Sequence, residues 1–209
     1  MISTIAVACT TGTTSGSGSG DGGSDGGTSG TPLATPRVTF ESTISPGTHP
    51  AKVCPKTGTW FTIGSFGNPA LGRVDPSDPE SPLKDPVRPV DDGGDDKQGK
   101  VSVSCSVKAS GDAFDVMASA QLTGAAGGAV TLSGTFGSAG DQSDITLSLT
   151  KMGETFSSKA CVARFETAVG QAIAPGRLWV QVDCADAEQP SAAQVCKTSA
   201  QLRVENCLQ

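Results

Sequence analysis

A chain of 209 residues has room for one or two domains, and a formal charge of −6 with a pI near 4.7 argues against a phosphate-rich partner. No basic stripe offsets that balance, so nucleic acid is not an expected ligand. Aromatic residues make up only 4%, which lowers the expectation of stacked sugars or bases, and no stretch approaches the roughly 20 apolar residues a membrane-crossing helix needs.

In chain order, residues 12–31 are dominated by Gly with Ser and Thr, a composition that buries no core and reads as a flexible linker. It contains GxGxxG at Gly18, Gly20 and Gly23, but without the preceding strand and following helix that dinucleotide binding needs. "RVTFES" from Arg37 is a candidate edge strand, and "TWFTIGSFG" predicts a strand over Trp60 to Phe66. Eleven of the 13 prolines fall between Pro32 and Pro89. Proline removes ladder donors, so the acidic, proline-rich stretch at about 68–99 is expected to be a surface loop.

Period-2 alternation then takes over. Val101, Val103, Cys105 and Val107 share one face and Ser102, Ser104 and Ser106 the other. Alternating runs follow through Phe114–Leu122, Val130–Phe136 and Ile145–Leu149, joined by short turns, which makes a β-meander. Shorter strands are expected around Phe156 and over Cys161–Phe165, with "ETAVGQAI" a helical turn or loop. Leu178, Val180, Val182 and Cys184 share a face, and Leu202 and Val204 close the pattern. Short strands with one apolar face bury it by pairing sheets. The expectation is an all-β fold: a disulfide-bonded antiparallel β-sandwich of about eight short strands spanning residues 35–209, and a monomer.

Seven cysteines stand at positions 9, 54, 105, 161, 184, 196 and 207. None has CxxC spacing and His49 is the single histidine, so zinc is disfavoured; six cysteines in a β pattern read as three disulfides in an oxidising compartment. Sequence does not choose among the connectivities. The simplest set pairs Cys184 with Cys196 across the proline-containing turn between them, leaving Cys54 with Cys105 and Cys161 with Cys207.

No catalytic constellation is visible: His49 lies between prolines, no nucleophile-elbow motif surrounds a serine, and the expectation is a protein that is not an enzyme. Trp60 and Trp179 read as core or core-rim residues. Asp91, Asp92, Asp95 and Asp96 cluster on a glycine turn, the one place where calcium would find carboxylate oxygens, though the closing glutamate of an EF-hand is missing. A solvated acidic loop without a cofactor is the principal expectation there, and a calcium-assisted adhesion module the alternative. A polysaccharide hydrolase with unidentified carboxylates is a second alternative.

"IAVAC", with Ala6, Val7 and Ala8 before Cys9, resembles the lipobox of bacterial lipoproteins, and the Gly/Ser tether behind it is typical of that class. The resemblance implies that residues 1–8 are the remnant of a signal peptide that begins upstream. It also implies that Cys9 is the site of lipid attachment, and that residues 9–34 tether the domain to a membrane. Thr10 after the cysteine is compatible with the outer membrane or cell surface. A coil of about twenty residues spans roughly 25 Å, enough to clear the head groups. The chain is thus expected to be a cell-envelope lipoprotein presenting its β domain as a binding or structural module for a protein or polysaccharide of the envelope.

Overall fold

Successive side chains of a strand point to opposite faces, so each alternating run in this sequence has one face to bury and one to leave in water. The computed structural model describes residues 34–47, 49, 52–67, 87–125 and 127–209. Cys9, the tether and much of the proline-rich stretch therefore lie outside the described residues. The described residues form an all-β, antiparallel domain with β1 (Arg37–Pro46), β2 (Gly58–Ile63), β3 (Val90–Asp91), β4 (Val101–Ser110), β5 (Ala113–Leu122) and β6 (Gly128–Gly137). They continue with β7 (Gln142–Lys151), β8 (Glu154–Arg164), β9 (Ala172–Ala174), β10 (Arg177–Gln189) and β11 (Gln194–Glu205). "ETAVGQAI" supplies one 3-10 turn, Thr167–Val169, which ends at Gly170 in the left-handed region and runs on into β9.

All the strands belong to one sheet in the order β2-β1-β11-β10-β8-β7-β6-β5-β4, with β3 beside β1 and β9 beside β10. The meander β4 to β8 is the expected one. The "RVTFES" strand differs from expectation: β1 is central, paired with β11 over Arg37–Pro46 on one side and with β2 and β3 on the other. Nothing local marks that position, because a partner more than 150 residues away supplies it.

The two layers are parts of this one sheet, which curls until its inner faces meet in a single apolar cluster. Side chains from opposite ends of the strand order meet there. Phe61 of β2 lies against Gly128 of β6, where an added Cβ would come within 2.7 Å of the ring. Trp60 meets Phe156 edge-on at 5.5 Å between ring centres, and Phe40 meets Phe61 at 5.6 Å. A β-rich core poor in aromatics thus concentrates those it has where the layers touch.

An open sheet leaves unpaired backbone groups at its edges, which invite association with other chains. The outward edge of β4 is sealed. Val101 exchanges bonds with Gly93 and Gly94, and the Val103 N–H donates to Asp92 Oδ1 at 2.7 Å. Leu208 N–H donates to the Cys105 carbonyl at 3.0 Å, and its own carbonyl accepts from Val107 N–H at 2.9 Å. Gly176 N–H donates to the Val107 carbonyl while its carbonyl accepts from Cys207 N–H. Gly176 has φ +75°, and a Cβ there would come 3.2 Å from the Cys207 carbonyl oxygen, so the seam needs glycine on both counts.

The three disulfides are Cys54–Cys196, Cys105–Cys207 and Cys161–Cys184, so each expected pairing is corrected. Cys184 and Cys196 do sit on the two arms of one hairpin, but the register puts Cys184 opposite Thr198 and Cys196 opposite Ala187, with a bulge between. Cys184 instead faces Cys161 across the β8–β10 ladder, beside the pair Asp183 and Val162. Cys196 lies opposite Pro46 at the end of β1, within reach of Cys54 in the segment that follows. Cys105 therefore takes Cys207 and locks the tail onto β4. All six are buried, and three disulfides in one domain indicate an oxidising, extracytoplasmic environment. No helix among the described residues is long and apolar enough to cross a membrane.

Two outcomes follow. A non-reduced digest should yield only the pairs 54–196, 105–207 and 161–184. Replacing Cys105 and Cys207 together by Ser should lower stability by roughly 3–5 kcal/mol in urea unfolding, from the loop it reopens; a loss below about 1 kcal/mol would show that the tail is held by its backbone bonds alone.

Candidate functional site

The central strands β1, β11 and β10 turn one face to the core and the other outward, and the outward face carries an unusual mixture. "RLWVQVD" alternates Leu178, Val180 and Val182 inward with Trp179, Gln181 and Asp183 outward. "AQLRVE" likewise sends Gln201, Arg203 and Glu205 outward, and "RVTFE" sends Arg37, Thr39 and Glu41. Strand register aligns them in rows across β11: Arg37 opposite Glu205, Arg203 between Thr39 and Trp179, and Gln201 between Glu41 and Gln181. Neighbouring strands are about 4.8 Å apart, so each row is a set of touching side chains.

Glu205 is the electrostatic centre. Its Oε2 accepts from Arg37 Nε at 2.6 Å and its Oε1 from Arg203 Nη2 at 2.7 Å. Burial pushes the Glu205 carboxyl up, but the hydrogen bonds and charges of Arg203 and Arg37 outweigh it and hold the group below the usual range. The Arg203 guanidinium also lies 5.1 Å from the centre of the Trp179 ring, and Phe66 stacks on that ring at 6.1 Å with 14° between planes. A cavity of about 140 Å³ opens beside this assembly, lined by Gly170, Ala172, Arg177, Trp179, Arg203 and Glu205. Arg177 makes no ion pair among the described residues.

The same face buries polar atoms without partners. Thr39 and Gln201 are both 0% exposed, yet Thr39 Oγ1 and both amide atoms of Gln201 lack a hydrogen bond, as does the buried Trp179 Nε1. Beside Gln201, the side chains of Gln181, Ser199 and Asp183 bond one another. Gln181 Nε2 donates to Ser199 Oγ at 2.7 Å, that hydroxyl donates to Asp183 Oδ1 at 2.6 Å, and Arg164 pairs with Asp183. An unpaired buried polar group costs about 1–3 kcal/mol, and among the described residues Trp60 Nε1, Asp96 Oδ2, Gln189 Oε1, Gln194 Oε1 and Thr198 Oγ1 are in the same state elsewhere in the domain.

The acidic turn behaves differently from a calcium cage. Asp92 Oδ1 accepts from Val103 N–H, Asp95 Oδ1 from Lys97 N–H at 2.8 Å, and Asp96 Oδ1 from Gly64 N–H at 3.1 Å. Asp91 sits in β3 opposite Arg37. Three of the four carboxylates are engaged as backbone caps on separate segments, with Asp96 Oδ2 left without a hydrogen bond, and no three acidic, His or Cys side chains converge on a metal position among the described residues. The calcium reading of Asp91, Asp92, Asp95 and Asp96 is corrected accordingly. Burial of Asp96 raises its pKa, with the Gly64 N–H opposing. Trp60 is buried between Lys56 and Lys151, 5.4 and 5.6 Å from its ring centre, and Lys56 pairs with Glu154 at 2.7 Å. Each tryptophan is thus linked through a cation to an ion-paired carboxylate, Trp60 through Lys56 to Glu154 and Trp179 through Arg203 to Glu205.

Of the sequence candidates, only Trp179 belongs to this cluster; Arg37, Thr39, Gln201, Arg203 and Glu205 were not singled out. Their signal was a large aromatic on the polar side of an alternating strand. Comparison with protein-family models, curated proteins and solved structures finds no match to the chain.

The ion triad makes a pH-dependent contribution. A carboxyl whose folded pKa is lowered stabilises the fold above its unfolded pKa, near 4.3, and loses that contribution as pH falls through the folded value. Glu205→Gln should therefore lower Tm at pH 7, by the equivalent of roughly 1–2 kcal/mol, and the gap should close as pH falls through the lowered pKa of Glu205. A Tm gap that stays constant across that range would assign the loss to packing instead of charge.

Proposed function

We propose that this chain is a cell-envelope lipoprotein, tethered by an acyl-modified Cys9, whose disulfide-closed β domain serves as a binding module. The observation that carries the reading is the cysteine arithmetic: six of the seven cysteines pair among themselves inside the domain, so Cys9 is partner to none of them. A thiol set apart from the disulfide framework and followed by a Gly/Ser tether suits acylation. Two or three acyl chains, at roughly 0.8 kcal/mol per buried methylene, hold a domain that has no membrane-crossing helix among its described residues. The binding role draws its support from the outward face around Trp179, where a cavity opens beside the indole ring and the Arg177 and Arg203 side chains.

Intact mass of the protein extracted from its own membranes tests the anchor. The expected result is a chain beginning at Cys9 with the added mass of two or three acyl groups, and release of the Cys9→Ser variant into the soluble fraction. A membrane-extracted protein with unmodified Cys9 would overturn the reading.

A further inference from the structure

We infer that the segment 206–209 beyond β11 is a redox-released strap, held over the outward edge of β4 by the Cys105–Cys207 disulfide and freed by a dithiol while the rest of the domain stays folded. The segment has little else to hold it. Cys207 is its one buried side chain, whereas Asn206, Leu208 and Gln209 are exposed, Leu208 by 64%. Its backbone bonds to Cys105, Val107 and Gly176 lie at the rim of the sheet, and Asn206 Nδ2 donates to the Thr35 carbonyl from an exposed position. Each such bond contributes only about 0.5–1.5 kcal/mol net. Asn206 also supplies the pivot. At φ +59° it turns the chain out of the β11 ladder, whose register with β1 ends one residue earlier, at Glu205.

The other two disulfides are placed differently. Cys161 and Cys184 lie in β8 and β10, strands paired along both sides, and neither is exposed at all. Cys196 lies in β11 between β1 and β10, and the segment carrying Cys54 is braced by the ion pairs Lys52–Glu188 and Lys56–Glu154. Cys105 and Cys207, at 5% and 6%, are the most exposed of the six, and exchange with an outside thiol depends on access. A thiolate of the dithiol attacks Cys207 Sγ, forming a mixed disulfide and expelling the Cys105 thiolate, which takes up a proton. The second thiol of the reductant then displaces Cys207 as a thiol, and the reductant leaves as its own disulfide. Release leaves the Cys105 carbonyl and the Val107 N–H unpaired, while Val101 and Val103 keep their bonds to Gly93, Gly94 and Asp92. The strap therefore decides whether the second half of β4 presents a bonded or an open edge.

Limited reduction of the full chain tests the strap. The oxidised protein, with any free thiol blocked beforehand, is treated with increasing dithiothreitol, and the thiols released at each step are alkylated and mapped. Amide hydrogen exchange is then followed in the species with one bond open. The expected result is alkylation of Cys105 and Cys207 ahead of the other four cysteines. In that species exchange at Val107 and Leu208 should be faster by about tenfold or more, and exchange at Val101 and Val103 unchanged. Replacing the dithiol by oxidised glutathione should restore protection at Val107 and Leu208. Opening of 54–196 or 161–184 first, or of all three bonds together, would overturn the selective release. Continued protection of Val107 and Leu208 with 105–207 open would show that backbone bonds alone hold the segment, and loss of protection at Val103 as well would show that the bond supports the whole domain. Either result would overturn the strap.

Discussion

β11 holds the domain together because it is paired along both sides, with β1 over ten residues and with β10 from Leu178 to Gln189. Its inward residues Ala200, Leu202 and Val204 lie at the centre of the core. Cys196 ties it to the segment after β1, and Cys207 just beyond it ties the tail to β4. Its outward residues Gln201, Arg203 and Glu205 are the middle column of the candidate site. A single strand thus sets the curl, the seam and the chemistry, and a one-residue slip in its register would turn Leu202 outward and Arg203 into the core.

Burial on this face is sustained by charge where the inner face relies on area. An isolated buried carboxylate would be costly, and Glu205 is tolerable because two guanidinium groups share it, one of them also held over an aromatic ring. Thr39 and Gln201 have no such compensation although they sit in adjoining rows. Similar unmatched atoms occur at Trp60, Asp96, Gln189, Gln194 and Thr198, while Gln181, Ser199 and Asp183 satisfy one another along the same face.

The fold class was legible from Val101 to Leu149 because alternation is a local property: each residue's face follows from its neighbour's. The pairing of β1 was not, since "RVTFES" carries no trace of a partner at Arg203 to Glu205. The same limit governed the disulfides. Chain proximity favours Cys184 with Cys196, but a bulge at Cys184–Ala187 and a 3-10 turn at Pro190–Ala192 shift the arms enough to offer Cys184 to β8. Trp179 could be noticed on a polar face, but Arg37 and Thr39 join it only through the long-range ladder. The aspartates after Val90 looked like metal ligands by composition, whereas their backbone partners at Gly64, Lys97 and Val103 emerge only in three dimensions.

The seam at β4 also sets an order of events during export. β4 emerges early and is a strongly β-prone strand, yet its outward groups at Cys105 and Val107 wait for Leu208, and the Cys105 thiol waits for Cys207. Until β11 has crossed the membrane, a meander with an open, flat edge is present in the oxidising compartment, with Cys105 unpaired beside it. Contacts of this sequence separation form slowly, and exposed edges pair with whatever strand is near. The domain is therefore most vulnerable to misassembly during the interval between the arrival of its fourth strand and its last, when a holding chaperone and a disulfide isomerase would have the most to do.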